Sequence, residues 1–370
     1  MADPFPIQRL DHLELYVGNA RQAAAYYRHA FGFRATAYRG LETGCREATS
    51  YVLEGGAIRL VLTSGLAPGH AAARFAHAHG DGVAVLALEV PDAFRGFAEA
   101  CRRGAAAAEE PVEERDEHGA LRSVAIRAYG DTVIRFVERG GYRGAFAPGF
   151  EARAGNGPPP AGEVGLAAVD HVVANVERGQ MDRWARFFAE TMGFSELLHF
   201  DDEAISTEYS ALMSKVMQDG AGRIKFPINE PATGRRKSQV AEYLDYFGGP
   251  GVQHIAFATD DIVETVTRMR ARGMAFLSVP AAYYDDLPAR VPEIGPYAGV
   301  LGRLGILADR DEDGHLMQIF TQPVQDRPTV FFEVIERRGA NGFGQGNFKS
   351  LFEAIEREQA LRGNLVEAAS

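Results

Sequence analysis

Two histidines and one glutamate in the second half of the chain are candidate metal ligands. His171 lies in AAVDHVVANV, His254 in GVQHIAFAT and Glu333 in TVFFEVIER, and each segment resembles a strand. Two imidazoles and one carboxylate on one face of an iron leave three coordination positions open. A metal held in this way can bind a chelating substrate and dioxygen at the same time.

The positions of these residues favour a metal site, although a single histidine in such a strand is more often structural. Burying an unpaired histidine or glutamate in an apolar strand costs free energy. Glu333 alternates with Phe331 and Ile335 on one strand face, so its carboxylate needs a nearby cation. The adjacent Glu336 and Arg337 are interpreted as an ordinary ion pair at the strand end.

Zinc is the main alternative to iron. Structural zinc sites usually have four protein ligands, often cysteines, and neither Cys45 nor Cys101 is close to the three residues in sequence. Hydrolytic zinc sites typically carry HExxH on a helix, and this motif is absent from the sequence. These features favour Fe(II).

The strands that carry the candidate ligands belong to an internal repeat. IQRLDHLELYVGNARQAAAYYRHAFGF resembles LAAVDHVVANVERGQMDRWARFFAETMGF, GDGVAVLALEVPD resembles GPGVQHIAFATDD, and TVIRFVERG resembles TVFFEVIERRG. Three matches in the same order indicate a duplicated half. A Pro- and Gly-rich segment, residues 148–163, separates the copies and is predicted to be a linker between domains 1–147 and 164–370.

The duplication provides an internal comparison for the metal site. His254 aligns with Val85 and Glu333 aligns with Arg135, and only His12 matches a candidate ligand with a histidine. An arginine at the carboxylate position would repel a cation. We therefore expect a metal-free first half, in which His12 is a structural histidine at a strand end, and one metal site per chain.

Composition excludes several classes of protein. The chain has 370 residues, 46% hydrophobic and 24% charged, which is typical of a folded globular protein. A formal net charge of −11 argues against nucleic-acid binding. No signal peptide is visible and no apolar run reaches the roughly 18 residues of a membrane span, so no membrane association is expected. Only two cysteines are present, which fits a cytoplasmic protein.

The second half contains several longer motifs that are typical of one family. They are GRIKFPINEP, KSQVAEYLDYFGGPGVQHIAFATDDIVETV, AAYYDDL, ILADRDEDGHLMQIFTQPVQDRPTVFFEVIER and GFGQGNFKSLFEAIEREQ, and they cover most of residues 166–362. In these motifs the chain resembles the 4-hydroxyphenylpyruvate dioxygenase family of the vicinal oxygen chelate superfamily. The first half matches the same pattern more loosely.

The resemblance implies a fold and a reaction. The fold is α+β, with two domains of paired βαβββ modules that form open half-barrels, as in glyoxalase, and a C-terminal gating helix. The reaction uses Fe(II) to convert 4-hydroxyphenylpyruvate and O2 into homogentisate and CO2 in tyrosine catabolism. A homo-oligomer, either a dimer or a tetramer, is also expected.

The resemblance also implies which residues surround the metal. Catalytic positions match Ser214, Asn229, Gln239 and Gln318. Substrate contacts match Val173, Pro227, Gln253, Phe320, Phe331, Phe343, Asn347 and Phe348. Gln318 and Phe320 share strand parity, so both are expected to face the cavity. Gln253 is adjacent to His254, and a regular strand would place it on the opposite face, so contact with the metal ligand is a second interpretation.

A glycine-rich tract, residues 339–348, precedes the predicted lid helix. Phe348, Leu351, Phe352 and Ile355 have the i, i+3, i+4, i+7 spacing of one apolar helix face. Glycines beside such a helix can act as hinges. The chain departs from the family pattern at Gln345, where a lysine is usual.

Two other functions remain open. A related enzyme class, hydroxymandelate synthase, uses the same substrate and iron but oxidises the benzylic carbon. Asn229 in FPINEP favours the dioxygenase, because its amide can hydrogen-bond the substrate phenol. The superfamily also contains ligand-binding proteins without redox chemistry, and the complete set of His171, His254 and Glu333 argues against that function.

Overall fold

The first half of the chain forms one mixed β-sheet with helices. In this computed structural model the described residues are 7–153, 162–200, 211–232 and 234–366. The strands are β1 (Arg9–Tyr16), β2 (Arg34–Arg39), β3 (Ala48–Gly55), β4 (Ile58–Gly65), β5 (Gly82–Glu89), β6 (Val112–Asp116), β7 (Gly119–Arg127), β8 (Val133–Glu138) and β9 (Glu151–Ala152). The helices are α1 (Ala20–Ala30), α2 (Ala71–His79) and α3 (Ala93–Arg102).

The second half forms a second mixed sheet. Its strands are β10 (Leu166–Asn175), β11 (Ser195–Phe200), β12 (Leu212–Gln218), β13 (Lys225–Pro231), β14 (Gly251–Thr259), β15 (Leu307–Arg310), β16 (His315–Phe320) and β17 (Phe331–Arg338). Its helices are α4 (Met181–Met192), α5 (Gln239–Phe247), α6 (Ile262–Ala271), α7 (Leu287–Arg290), α8 (Ala298–Leu304) and α9 (Phe348–Leu361). None of the helices in these described ranges is both long and apolar enough to span a membrane.

Both sheets have the same topology. The strand order is β6-β7-β8-β5-β1-β4-β3-β2-β9 in the first and β11-β12-β13-β10-β14-β17-β16-β15 in the second. In each sheet the first strands of two modules pair antiparallel at the centre, and each of these strands pairs parallel with the last strand of its own module. This arrangement confirms the predicted α+β fold of paired βαβββ modules.

The strand registers support the alignment of the two halves. His12 lies opposite Ala87 on β5, and Ala87 lies opposite Arg135 on β8. In the second sheet Ala256 on β14 has the same relation to His171 and Glu333. The two histidines are therefore structurally equivalent, and Arg135 occupies the position of Glu333. His12 lies within β1 and is buried, so the expectation of a strand-end histidine was wrong.

The two halves share one hydrophobic core. Phe31 and Phe33, which follow α1, pack against Phe257 and Phe332 of the second sheet. The ring centroids of Phe31 and Phe332 are 4.8 Å apart, and those of Phe33 and Phe257 are 5.9 Å apart. The repeated Gly-Phe ending of the first helix therefore contributes to the packing between the two halves, in addition to packing within its own half.

The segment between the halves begins with a strand. β9 pairs antiparallel with β2 at the edge of the first sheet, so this sheet continues into the predicted linker 148–163. Residues 154–161 of that linker lie outside the described residues. The predicted limits of the two domains remain a proposal.

Glu336 stabilises the start of α6 rather than pairing with its neighbour Arg337. Its Oε2 accepts a hydrogen bond from the backbone N–H of Ile262 at 2.8 Å, and its Oε1 accepts one from Arg338 at 2.6 Å. A carboxylate at this position satisfies an orphan N–H and interacts favourably with the helix dipole. Glu138 makes the equivalent contact to α3 in the first half. The predicted Glu336–Arg337 ion pair was therefore wrong.

Candidate metal centre

The three candidate ligands lie on three adjacent strands of the second sheet. His171 is on β10, His254 on β14 and Glu333 on β17, and all three side chains are buried. The register places His171 and Glu333 on either side of Ala256, with His254 two residues earlier on β14. The three side chains therefore converge on one face of the sheet.

The donor atoms are close enough for a single cation. One donor atom from each of the three residues lies within 4.8 Å of the others. The Nε2 atoms of His171 and His254 are 3.2 and 3.5 Å from the Glu333 Oε2. A set of two imidazoles and one carboxylate fits a divalent metal such as iron or zinc, so the chemistry of the site supports the prediction that these residues bind a metal.

Hydrogen bonds on the far side of each ring orient the histidines. The Nδ1 of His171 is 2.7 Å from the Asp170 Oδ1, and the Nδ1 of His254 is 3.1 Å from the Gln253 Oε1. These acceptors favour a proton on each Nδ1 and leave each Nε2 with a lone pair directed toward Glu333. Both imidazoles are therefore prepared to bind a metal through Nε2.

A β-bulge explains how Gln253 reaches both His254 and the cavity. Val173 lies opposite His254, but the next residue, Ala174, lies opposite Val252, so Gln253 is the extra residue. Its side chain contacts His254 and also lines the cavity. A regular strand would have placed Gln253 on the other face of the sheet. With the bulge, a contact with the substrate and a contact with His254 are compatible.

The charges of the cluster require a cation. Burial would raise the pKa of Glu333, but His171 and His254 outweigh it and lower that pKa. Burial would lower the pKa of His171, but the carboxylates of Glu333 and Asp170 outweigh it and raise that pKa. Burial lowers the pKa of His254 despite Glu333. The buried Glu333 carboxylate, with two imidazole Nε2 atoms beside it, therefore suits a bound cation.

A small cavity adjoins the three ligands. Its volume is about 80 Å³, whereas pockets for drug-sized ligands commonly have about 300–1,000 Å³. Helix α9 closes one side through Phe348, Leu351, Phe352 and Ile355. The position of α9 therefore limits the size of the cavity beside the ligands.

Most of the residues predicted to surround the metal line this cavity. They are Val173, Ser214, Pro227, Asn229, Gln239, Gln253, Phe320, Phe331, Phe343 and Phe348. Further walls come from Phe200, Leu212 and Val216, which the sequence reasoning missed because apolar strand residues carry no specific signal. The fold therefore brings together polar and aromatic side chains from both modules of the second half.

Gln318 lies behind the loop that precedes α9, and Asn347 is the residue directly before α9. Neither is among the described residues that line the cavity. A Cβ added at Gly344 would approach the Gln318 Nε2 to 2.5 Å, so the loop passes directly over this amide. The Asn347 Oδ1 accepts a hydrogen bond from the Tyr283 hydroxyl at 2.6 Å. Shared strand parity with Phe320 therefore did not bring Gln318 to the cavity.

The fold and the site agree with comparisons to known proteins. A model of the glyoxalase/bleomycin resistance protein/dioxygenase superfamily matches residues 9–142 and 168–319. A 4-hydroxyphenylpyruvate dioxygenase from Yarrowia lipolytica is 46% identical over 366 residues, covering 96% of this chain and 93% of the relative. A 4-hydroxyphenylpyruvate dioxygenase from Dictyostelium discoideum is 44% identical and covers 97% of this chain and 100% of the relative. The chain belongs to the 4-hydroxyphenylpyruvate dioxygenase family.

A solved structure also resembles this member of the 4-hydroxyphenylpyruvate dioxygenase family. It is a triple mutant of 4-hydroxymandelate synthase from Streptomyces coelicolor, with a TM-score of 0.85 and 34% sequence identity. The similarity covers 96% of this chain and 99% of the synthase chain. The two-domain glyoxalase-type fold predicted from the sequence is thereby confirmed.

The sequence reasoning missed Asp170 and Arg337 in this family member. Asp170 contacts His171, as described above, and Arg337 binds both oxygens of Asp170 at 2.7 and 2.8 Å. The signal was present as an Asp-His pair in β1 and β10 and an arginine near the end of β8 and β17. Arg337 was assigned to the adjacent Glu336 because the partner on β10 is distant in sequence.

In the first half an arginine provides the cation at the position of the second-half carboxylate. The Arg135 Nη1 is 3.0 Å from the Glu14 Oε2, and its Nη2 is 2.7 Å from the Glu109 Oε1. Val85 replaces the second histidine. The first half of this dioxygenase-family chain thus balances the buried carboxylate of Glu14 with a side chain of its own.

Asp11 provides a test of these buried charges away from the metal centre. Its carboxylate pairs with Arg139 at 2.6 Å and with His12 at 2.6 Å. Burial would raise the pKa of Asp11, but His12 and Arg139 outweigh it and hold that pKa well below 3.8. A depressed pKa contributes stability that is present above the unfolded-state pKa and is lost as the pH falls through the folded-state pKa.

We expect Asp11→Asn to lower the free energy of unfolding by about 3 kcal/mol at pH 7. The difference from the wild type should shrink as the pH falls below 3.8, the ordinary pKa of an aspartate. Urea unfolding between pH 3 and 7 measures it, with Asp326→Asn at an exposed position as the control. A difference that stays constant over this range would contradict the assignment.

Proposed function

We propose that this chain is an Fe(II)-dependent 4-hydroxyphenylpyruvate dioxygenase that converts 4-hydroxyphenylpyruvate and O2 into homogentisate and CO2. The observation that carries the proposal is the buried group of His171, His254 and Glu333 beside an aromatic cavity. The dioxygenases that are 43–46% identical over nearly the whole chain support it. The proposal places the chain in tyrosine catabolism.

The donor set supports Fe(II) as the metal. Two neutral imidazoles and one carboxylate would leave a divalent ion with one net positive charge and open positions, which suits a 2-oxo acid anion. When bound, Fe(II) would supply a centre that holds the 2-oxo acid and dioxygen next to each other. The same donors accept zinc, so the metal content of the purified protein is part of the test.

Aromatic side chains beside the ligands can orient the substrate ring. The Phe331 ring is stacked on His254 with centroids 4.8 Å apart, and the Phe343 ring meets His171 edge-on at 5.0 Å. Together with Phe320 they form apolar walls that exclude water from the metal face. Holding the ring in one orientation decides which carbon is oxidised.

Polar groups on β12 and β13 can bind the phenol end of the substrate. Ser214 lies opposite Asn229 on the neighbouring strand, and both line the cavity with Gln239. The Asn229 Nδ2 donates to the Asn175 Oδ1 at 3.4 Å, which is long for a hydrogen bond. We infer that Asn229 gives up its weak contact with Asn175 and binds the substrate hydroxyl together with Ser214 and Gln239. The 2-oxo acid of the substrate is then directed to the metal.

A second candidate function is 4-hydroxymandelate synthesis. The similarity to the Streptomyces coelicolor synthase over 96% of the chain favours it. Both reactions would begin with the same substrate in the same cavity and release CO2. The identity of the oxidised carbon separates them, and Asn229 supports ring oxidation through a fixed phenol position.

The decisive experiment is product analysis with anaerobically purified, Fe(II)-loaded protein. The protein is mixed with 4-hydroxyphenylpyruvate and O2, and the product is identified by chromatography and mass. We expect homogentisate. Hydroxymandelate would support the second candidate, and no oxygen uptake with iron bound would favour a ligand-binding role.

We also propose limits for the two domains, an oligomeric state and a cellular location. The two domains comprise residues 1–147 and 164–370, and the chain forms a homodimer or homotetramer that light scattering can measure. A cytoplasmic location is supported by the two cysteines, Cys45 and Cys101, which are both free thiols.

A further inference from the structure

Arg337 connects the metal centre to the loop in front of the lid helix. We propose that Arg337 is a positioning residue that couples metal binding at His171 to the closed position of residues 340–343 and of α9. The inference rests on the proposed metal centre and goes beyond it, because it assigns one residue to both the metal and the lid.

One side of the Arg337 guanidinium holds the partner of a metal ligand. Its Nε and Nη2 donate to the two carboxylate oxygens of Asp170 at 2.7 and 2.8 Å. Asp170 in turn is 2.7 Å from the His171 Nδ1. A two-point contact between guanidinium and carboxylate fixes the plane of Asp170, and Asp170 then fixes the tautomer and the ring plane of His171.

The other side of the guanidinium holds the loop. The Arg337 Nη1 donates to the Gly342 carbonyl at 2.6 Å and to the Ala340 carbonyl at 3.3 Å. The guanidinium carbon lies 5.4 Å from the centre of the Phe343 ring, and this ring is the one that contacts His171. The contacts therefore form a closed circuit from His171 through Asp170, Arg337 and Phe343 back to His171.

The loop also has an anchor that does not involve Arg337. The Asp311 Oδ2 accepts hydrogen bonds from the backbone N–H groups of Asn341 at 2.8 Å and Gly342 at 2.7 Å. Loss of the arginine contacts should therefore loosen the loop without releasing it. The loop therefore has two anchors, and only the one at Arg337 reaches a metal ligand.

Metal binding should favour the closed loop through this circuit. Coordination at Nε2 makes the Nδ1–H of His171 a stronger donor, so the hydrogen bond to Asp170 tightens. A better-fixed Asp170 orients Arg337 for the Gly342 carbonyl. Because such a coupling is reciprocal, the closed loop must favour metal binding by the same factor.

The first half contains the same cluster without the second histidine and the glutamate of the ligand set. Arg139 binds Asp11 at 2.6 and 2.8 Å, Asp11 contacts His12 at 2.6 Å, and the Phe146 ring meets His12 at 5.2 Å. Arg139 also donates to the Phe146 carbonyl. After this segment the chain continues to β9 rather than into a lid helix. Substitution of Arg139 therefore measures the contribution of such a cluster to stability, separate from any effect on a metal.

The test compares Arg337→Gln with the matched control Arg139→Gln in the full chain. Metal-free protein is titrated with Co(II), whose visible absorption reports the coordination of the site, and hydrogen exchange of residues 339–361 is measured with and without Co(II). For Arg337→Gln we expect Co(II) binding to weaken by about 10- to 100-fold. We also expect the Co(II)-dependent protection of residues 339–361 to be lost.

Arg139→Gln should lower the unfolding temperature but leave both Co(II) measurements within about twofold of the wild type, a change of less than 0.5 kcal/mol. Arg337→Lys keeps the charge without the two-point contact and serves if the glutamine variant does not fold. Arg337→Lys should also bind Co(II) more weakly than the wild type.

Three results would overturn the inference. Wild-type Co(II) affinity and protection in a folded Arg337 variant would exclude the coupling. Equal weakening of Co(II) binding in the Arg337 and Arg139 variants would show that the loss of either arginine acts through folding in general. Absence of Co(II) binding in the wild type would overturn the proposed metal centre as well, which distinguishes the two failures.

Discussion

Glu333→Gln is expected to abolish homogentisate formation while the fold is retained. The Glu333 carboxylate is 2% exposed and is the anion nearest both histidine Nε2 atoms. Glutamine keeps the shape but removes the charge that binds the metal. Loss of a partner outside the ligand set already costs about 10- to 100-fold in metal affinity, so loss of a ligand should cost at least about 100-fold.

Glu14→Gln is the matched control for this substitution. Glu14 is also a buried carboxylate, and it pairs with Arg135 at 3.0 Å and accepts from the Thr63 hydroxyl at 2.7 Å in the first half. Its replacement should lower the unfolding temperature but preserve metal content and turnover. Metal content, product formation and circular dichroism measure the outcome. A Glu333→Gln protein with bound metal and more than a tenth of wild-type turnover would refute the assignment.

A chain that ends at Asn347 is expected to bind metal but to make almost no homogentisate. Removal of α9 takes away four cavity walls, including Phe348 and Phe352, and opens the metal face to water. Loose positioning of a substrate commonly costs about 100-fold in rate. Metal affinity should stay within about tenfold of the wild type, because all three ligands lie on strands that remain. Loss of a residue that hydrogen-bonds a ligand costs about 10- to 100-fold in metal affinity, and we expect removal of α9 to cost less.

A chain that ends at Val366 is the control, because it keeps α9 and the contacts of its end. Those contacts join Arg362 and Asn364 to the buried Glu242 at 2.8 and 2.9 Å. This protein should behave like the wild type in metal titration and product analysis. If the shorter chain ending at Asn347 formed homogentisate at the wild-type rate, α9 would have no part in the reaction.

The duplicated sequence was sufficient to predict two matching halves and to place one set of candidate ligands in the second, whereas the fold of paired βαβββ modules came from the resemblance to the family. Because the side chains of a strand alternate, each repeated segment has a defined inner face, and matching segments must occupy matching places. The alignment of Glu333 with Arg135 was therefore visible before the structure, and the strand registers support it.

The contacts between distant segments could not be predicted in the same way. The bulge at Gln253 depends on one register shift between β10 and β14, and alternation within a single strand carries no information about such shifts. Arg337 had an acidic neighbour in sequence, but the partner it contacts, Asp170, is on another strand. The position of Gln318 behind Gly344 depends on the path of a loop, which strand parity does not describe.

Arg135 gives the first half a permanent cation, whereas under the proposed function the second half obtains its cation by binding a metal. On that proposal, one half has all its charges paired once it has folded, and the other is completed only when it binds the metal. Ligands that bind the folded state alone stabilise it by mass action. We therefore expect the supply of metal to act on the abundance of this protein as well as on its activity, because chains without metal would keep a less stable second half available to proteases.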